Sequence, residues 1–204
     1  MEQKPPEGLG SRDRILWAAA TMLGDEPGAA LSVRSVAARA GVSTGSLRHH
    51  FPTQRALMDA VLALVYDMVL PNDSIHDRSI PARERLTASL QRVLAPVGAE
   101  TDARRSWLLA FERYASNEPT EAAREEYLAL EREMRRRIEY CLTVLQNEGA
   151  LPEGDNSRRA RFLITVVNGL SIAQAMPAEE SRLQTELDVL HTAVDSVLNA
   201  RTRG

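Results

Sequence analysis

Apolar residues recur along this chain at intervals of three and four, and nowhere alternate with period two for long. That spacing gathers them on single helix faces, so the pattern predicts an all-α fold. A first helix over 12–23 carries Ile15, Ala18, Ala19, Met22 and Leu23 on one face, and GDEPGAA (24–30) stops it with two glycines and a proline. Ser32 is placed to cap a second helix burying Val33, Val36 and Ala37. Gly41 ends that helix, and Ser43 caps a short third one. Thr53 caps a fourth, in which Leu57, Val61, Leu64 and Met68 step by four, three and four. PNDS (71–74) reads as a loop and boundary. Five longer helices follow, over 82–97, 103–116, 121–147, 157–175 and 179–200, separated at Pro119, at GALPEGD (149–155) and at Pro177.

The third helix is built differently from the rest. GVSTGSLRHHF (41–51) is short and polar, contains a glycine, and ends on three groups able to carry positive charge. Helix, tight turn at Gly41 and short helix form the helix-turn-helix arrangement. Val36, Ala37, Val42 and Leu47 supply the small core between its two helices, which leaves Thr44, Gly45, Ser46, Arg48 and His49 facing outward. Small and hydroxyl residues let a backbone approach a groove closely. Arg48 can offer paired donors to guanine O6 and N7 or to a phosphate. The plain alternative is a helical hairpin with a solvated face.

Charge sharpens this picture. The net charge of −3 weighs against a general polyanion binder. Between Ser32 and Met58, however, lie Arg34, Arg39, Arg48 and Arg55 and no acidic residue, which predicts one surface facing a polyanion. His49 and His50 point about 100° apart on a helix and have no third ligand at zinc spacing, so no metal is expected, nor any cofactor. No catalytic carboxylate pair, phosphate-cradling glycine loop or nucleophile motif is present, so an enzyme is not expected either.

Composition adds limits. The 204 residues are 44% hydrophobic and 26% charged, an ordinary globular balance with room for a sizeable core. Cys141 is alone, MEQKPPEGLG reads as a polar flexible arm, and the apolar stretch 162–176 is interrupted by Asn168, Ser171 and Gln174. A cytoplasmic chain without a membrane span is the expectation.

In the last helix Leu183, Leu187, Leu190, Val194 and Val197 step by four, three, four and three, like a coiled-coil seam. Phe162, Val166, Gly169, Ala173 and Met176 step the same way in the preceding helix, whose opposite face carries Leu163, Val167 and Leu170. Two apolar faces predict burial on two sides and therefore pairing with a second copy. A homodimer also suits a reading helix of this size, since two half-sites lie about 34–36 Å apart on DNA. A bundle core within one chain is the alternative. Trp107, Phe111 and Tyr114 share one helix face, and Tyr127, Leu130, Met134, Ile138 and Cys141 another, which periodicity alone assigns to core.

These motifs also carry a resemblance. SVRSVAARAGVSTGSLRHHFPTQRALMDAVL (32–62) resembles the DNA-binding segment of the Tet repressor family, and RDRILWAAATML (12–23) its first helix. The resemblance implies that Ser32 and Arg34 touch DNA backbone or base, that Thr44, Gly45, Ser46 and Arg48 face the groove, and that His49 and His50 reach phosphates. It implies that Phe51 anchors the reading helix in the core. Arg48 stands where the family most often has tyrosine, and Gln54 where a phosphate-binding lysine usually opens the fourth helix. WLLAFERYASNEP and NGLSIAQAM also resemble the ligand domain of the family's choline-pathway branch, the BetI-like proteins. The domains so implied are an arm at 1–10, a helix-turn-helix domain at 11–55 with a linking helix at 54–69, and a helical ligand-binding and dimerisation domain at 70–204. The last two helices form the dimer interface, and a small-molecule pocket is lined by Trp107, Phe111, Tyr114, Tyr127 and Met134, with Asn168 as its polar group. The implied partners are an operator in double-stranded DNA, an effector of unknown identity and a second copy, in a ligand-responsive regulator that acts as a repressor. A helical binding protein without DNA affinity is the competing reading.

Overall fold

The computed structural model describes residues 5–6, 8–25, 31–69, 73–94, 103–115, 118–177 and 182–199. Every regular element among them is helical: α1 (Ser11–Asp25), α2 (Val33–Ala40), α3 (Thr44–His50), α4 (Gln54–Val69), α5 (Ala82–Leu94), α6 (Ala103–Tyr114), α7 (Glu121–Asn147), α8 (Asn156–Ala175) and α9 (Arg182–Leu198). Most of the expected breaker at 26–30, and the expected helical residues 95–97, 116, 179–181 and 200, lie outside the described residues. So do residues 1–4 and 7 of the arm, residues 71–72 of the expected loop and the side chain of Met68.

The chain forms two compact units. One comprises Met1–Val69 and Arg113–Glu133, the other Leu70–Glu112 and Met134–Gly204. The two units are interleaved along the chain, α7 giving its first half to the first unit and its second half to the other.

In the first unit α1 packs on α2, α3 and α4. Ile15, Ala18 and Ala19 meet Val36, Ala37, Ala40, Leu47, Phe51, Leu57 and Val61 in one buried cluster. Four alanines in this cluster, Ala18, Ala19, Ala37 and Ala40, let short helices approach closely. α2 and α3 are too short to hold themselves in water, and capping supplies what length does not. Ser32, in extended backbone (φ −82°, ψ 141°), accepts the Ser35 N–H; Ser43 does the same for Ser46. Gly41 closes α2 in left-handed backbone (φ 64°). Its N–H donates to the Ala38 carbonyl at 3.2 Å, while Val42 N–H donates to Ala37 at 3.0 Å, a Schellman closure that a side chain at Gly41 would strain.

In the second unit α5, α8 and α9 pack on one another, burying Leu86, Leu90, Leu94, Leu163, Val167, Leu190, Val194 and Val197 with Ile138, Leu142 and Leu145 from α7. A 3₁₀ turn (Asp73–His76) occupies ground that the sequence predicts to be loop, and it drives Ile75 fully into this core. Arg85 explains how a polar turn docks there. It is buried, donates to the Ile75 carbonyl at 2.5 Å and to Glu148 Oε2 at 2.7 Å, and so satisfies a turn carbonyl and a carboxylate together. No helix among the described residues is long and apolar enough to cross a membrane.

Candidate nucleic-acid interface

The reading surface follows from how α3 is held. Leu47 and Phe51 are buried, which fixes the rotation of the helix and turns Thr44, Gly45, Arg48 and His49 outward, while Ser46 and His50 are half-buried. Ser43 caps the Ser46 N–H at 3.0 Å, leaving the N–H groups of Thr44 and Gly45 at an exposed helix start. Gly45 has ordinary room around it: a Cβ there would meet only Ser43 Oγ, at 3.7 Å.

Beside α3, Arg34 stands exposed in the first turn of α2, behind a serine pair in which Ser32 Oγ and Ser35 Oγ lie 2.7 Å apart. Among the described residues neither Arg34 nor Arg48 has an ion-pair partner. Arg39 does: it pairs with Asp25 at 2.7 Å and so ties α2 to the end of α1, and Arg55 lies 3.7 Å from Asp59, so two of the four arginines between Ser32 and Met58 have a carboxylate partner. Arg12 makes up part of the loss. Its guanidinium lies 5.7 Å over the Phe51 ring, which brings the exposed start of α1 to the end of α3. Sequence reading missed Arg12, since nothing local in the sequence says where the start of the first helix will lie. The His49 and His50 rings stand edge to face, 5.3 Å apart. Among the described residues no group of three or more His, Cys, Asp or Glu is placed to hold a metal ion.

Gln54 stands where the resemblance implies a phosphate-binding lysine. Its side-chain amide donates to the Leu31 carbonyl at 3.0 Å, pinning the residue before the Ser32 cap to the first residue of α4. Thr53 Oγ1 accepts the Ala56 N–H at 3.0 Å, so the N–H groups of Gln54 and Arg55 are the ones left at that helix end to meet an anion.

The residues expected at an effector pocket divide between the two units. Tyr114 and Tyr127 belong to the first, their rings 5.5 Å apart. There the Tyr114 hydroxyl donates to Glu126 at 3.0 Å, and Glu126 also pairs with Arg113. Burial and the neighbouring Glu126 carboxylate push the Tyr114 phenol up to about 12. Trp107 and Phe111 stack at 5.9 Å in the second unit, where α6 has no buried residue. Met134 packs against the second core. Asn168 corrects the expectation: it is exposed. Val167 and Leu170 face the core, and one step beyond Val167 rotates Asn168 away by about 100°.

The expected dimer seam needs a larger correction. Leu190, Val194 and Val197 are buried in the core of their own chain, because α9 packs on α5 and α8 along that stripe. They therefore leave the interface assigned to them. Leu187 is half-buried and the Leu183 side chain lies outside the described residues. On α8, Val166 is partly buried against the core, while Phe162, Gly169 and Ala173 are exposed together with Ile172 and Met176.

The chain is similar to known proteins in sequence and in fold. The family model for bacterial regulatory proteins of the tetR family matches residues 15–61, and that for the C-terminal part of BetI-type transcriptional repressors matches 81–199. The chain is 34% identical over 84 residues to the HTH-type transcriptional repressor KstR2 of Mycolicibacterium smegmatis, covering 41% of each. It is 33% identical over 84 residues to the nucleoid occlusion factor SlmA of Idiomarina loihiensis, covering 41% of this chain and 43% of that one. The matches thus span about two fifths of the length of these curated relatives. A crystal structure from a Rhodococcus species, of a protein assigned to the TetR family, is 27% identical with a TM-score of 0.52, covering 92% of this chain and 98% of that one. One from Pseudomonas aeruginosa PAO1, assigned as a transcriptional regulator, shares the fold at 24% identity and TM-score 0.51, covering 92% and 90%. With one model on the helix-turn-helix and the other over more than half of the chain, the protein belongs to the TetR family of bacterial regulatory proteins, with the C-terminal region of the BetI-type transcriptional repressors.

Proposed function

We propose that the protein is a ligand-responsive transcriptional repressor of the cytoplasm that binds a palindromic operator as a homodimer and is released by a small molecule. The observation that carries this reading is the outward face of α3. Thr44, Gly45, Arg48 and His49 are exposed on a helix whose remaining contacts are spent on anchoring it. A helix built for packing within the chain would not present an unpaired arginine between two small residues and a histidine.

The supporting parts follow from the same reading. Arg48 reads a base edge, Arg34 and the serine pair at the start of α2 hold backbone, and Gln54 positions that helix start. The exposed α8 stripe of Phe162, Gly169, Ile172, Ala173 and Met176 pairs with its copy. The aromatic stack on α6 contacts an apolar effector. DNA favours one spacing of the two reading heads and the effector another, so release is limited by the effector's differential affinity for the two states.

The test is binding of the purified protein to DNA flanking its own gene, against unrelated competitor and across a salt series. Tight, competitor-resistant binding that weakens steeply with salt is the expected result. Absence of specific binding there and in a random-sequence selection would overturn the reading in favour of a helical binding protein without DNA affinity. Ala173→Glu, at an exposed position, should give a folded monomer by light scattering; a dimer that survives it removes α8 from the interface.

A further inference from the structure

Asp59 is the first acidic residue after Glu26 and closes the acid-free stretch that contains the reading face. It lies one turn beyond Arg55 on α4, and its carboxylate is shared between two guanidinium groups. Oδ1 accepts from Arg132 Nε at 3.2 Å and from Arg132 Nη2 at 2.8 Å. Oδ2 lies 3.7 Å from Arg55 Nε. Arg55 is 62% exposed in the first turn of α4, whereas Arg132 on α7 is 20% exposed. All three belong to the first compact unit.

The shared carboxylate matters because it sits among the cations that a DNA backbone would meet. With both arginines in place, one negative charge stands against two positive ones, and the closer, two-donor contact belongs to Arg132. Arg55 then keeps most of its charge for a phosphate at the exposed start of α4. Without Arg132, Asp59 has Arg55 as its partner and repels the same phosphate. At about 0.1 M salt these separations lie inside a screening length of about 10 Å, so the competition acts there.

We propose that Arg132, on a helix outside the helix-turn-helix, sets the charge that the reading head presents to DNA. Arg132 and Asp59 are positioning residues that act through Arg55. By occupying Asp59, Arg132 frees Arg55 for the backbone. Any effector or substitution that draws the first half of α7 away from α4 weakens DNA binding electrostatically, before any change in the reading helix itself. The inference rests on the DNA-binding reading above and gives the sensing region a direct hold on it.

The test needs no operator, because it concerns phosphate contacts. Affinity of the full-length chain for a fluorescein-labelled duplex of mixed sequence is measured by anisotropy across a potassium chloride series. Arg132→Ala should lower affinity about three- to fivefold, the scale of an exposed ion pair, and flatten the salt dependence by up to about one phosphate contact. Arg132→Ala with Asp59→Asn should restore both, and Arg132→Ala should cost less in an Arg55→Ala background than in the wild type. Circular dichroism confirms that each variant is folded at the assay temperature. Wild-type affinity and slope in Arg132→Ala, or a loss that persists with Asp59→Asn, overturns the inference while leaving DNA binding intact. A wild-type chain that binds no duplex at any salt overturns the DNA reading and this inference with it.

Discussion

The helix-turn-helix core and the core of α5, α8 and α9 are both helical and both predicted by spacing, yet they are built on opposite principles. The first joins short, capped, alanine-rich helices around Leu47 and Phe51. The second joins long helices through leucine and valine, with Arg85 and Glu148 holding a turn against it. In the first, α3 buries Leu47 and is closed by buried Phe51, so most of its other positions face out. In the second, apolar residues are plentiful enough to cover more than one face. Periodicity there says that a helix is buried without saying against what.

The largest effect that separates the two should come from the second core. Leu142 is fully buried, so Leu142→Ala should cost about 2–5 kcal/mol in urea unfolding followed by circular dichroism. A loss under about 1 kcal/mol would mean that the leucine interior tolerates gaps and is less specific than its packing suggests. Arg48→Ala tests the opposite character of the head: operator affinity should fall by about 1–3 kcal/mol while the thermal midpoint stays in place. Unchanged affinity would take Arg48 off the reading surface.

Two glycines sharpen the comparison within the head. At Gly41 nothing lies within 4 Å of an added Cβ, and the backbone is left-handed. Gly41→Ala should therefore cost about 1–2 kcal/mol of stability through strain alone. Gly45→Ala should gain up to about 1 kcal/mol of helix stability while weakening DNA binding. If both lose stability alike, Gly45 has a structural role and not one of close approach.

The smallest effect is one of pH. Hydrogen bonding and charge from Arg85, with Arg78 adding to it, hold the Glu148 carboxyl below its ordinary value, and Arg83 does the same for Asp195. A carboxylate depressed in the folded state stabilises the fold above its unfolded pKa, and that contribution is lost as pH falls through the folded one. Thermal stability should thus fall below the usual carboxylate range, and Glu148→Gln should flatten the fall. A profile identical to wild type would assign the acid sensitivity elsewhere.

The readable part of the molecule was the part whose determinants are local. Ser32, Gly41, Ser43 and Thr53 punctuate helices through contacts within a few residues, so caps, turn and outward face followed from sequence. Gln54 did not, because its partner, the Leu31 carbonyl, lies 23 residues back. Arg39 looked like a free cation until Asp25 was placed beside it. The stripe of Leu190, Val194 and Val197 looked like a seam between copies, since the same spacing serves α5 and α8 in the same chain. The division of α7 between two units has no sequence signature, because one continuous helical pattern covers both halves.

The anchoring of α3 through Leu47 and Phe51 has an evolutionary consequence. Buried and exposed residues occupy opposite sides of one seven-residue helix, so Thr44, Gly45, Arg48 and His49 can vary among descendants without disturbing the core. A lineage can drift to a new operator while its scaffold stays under unchanged selection.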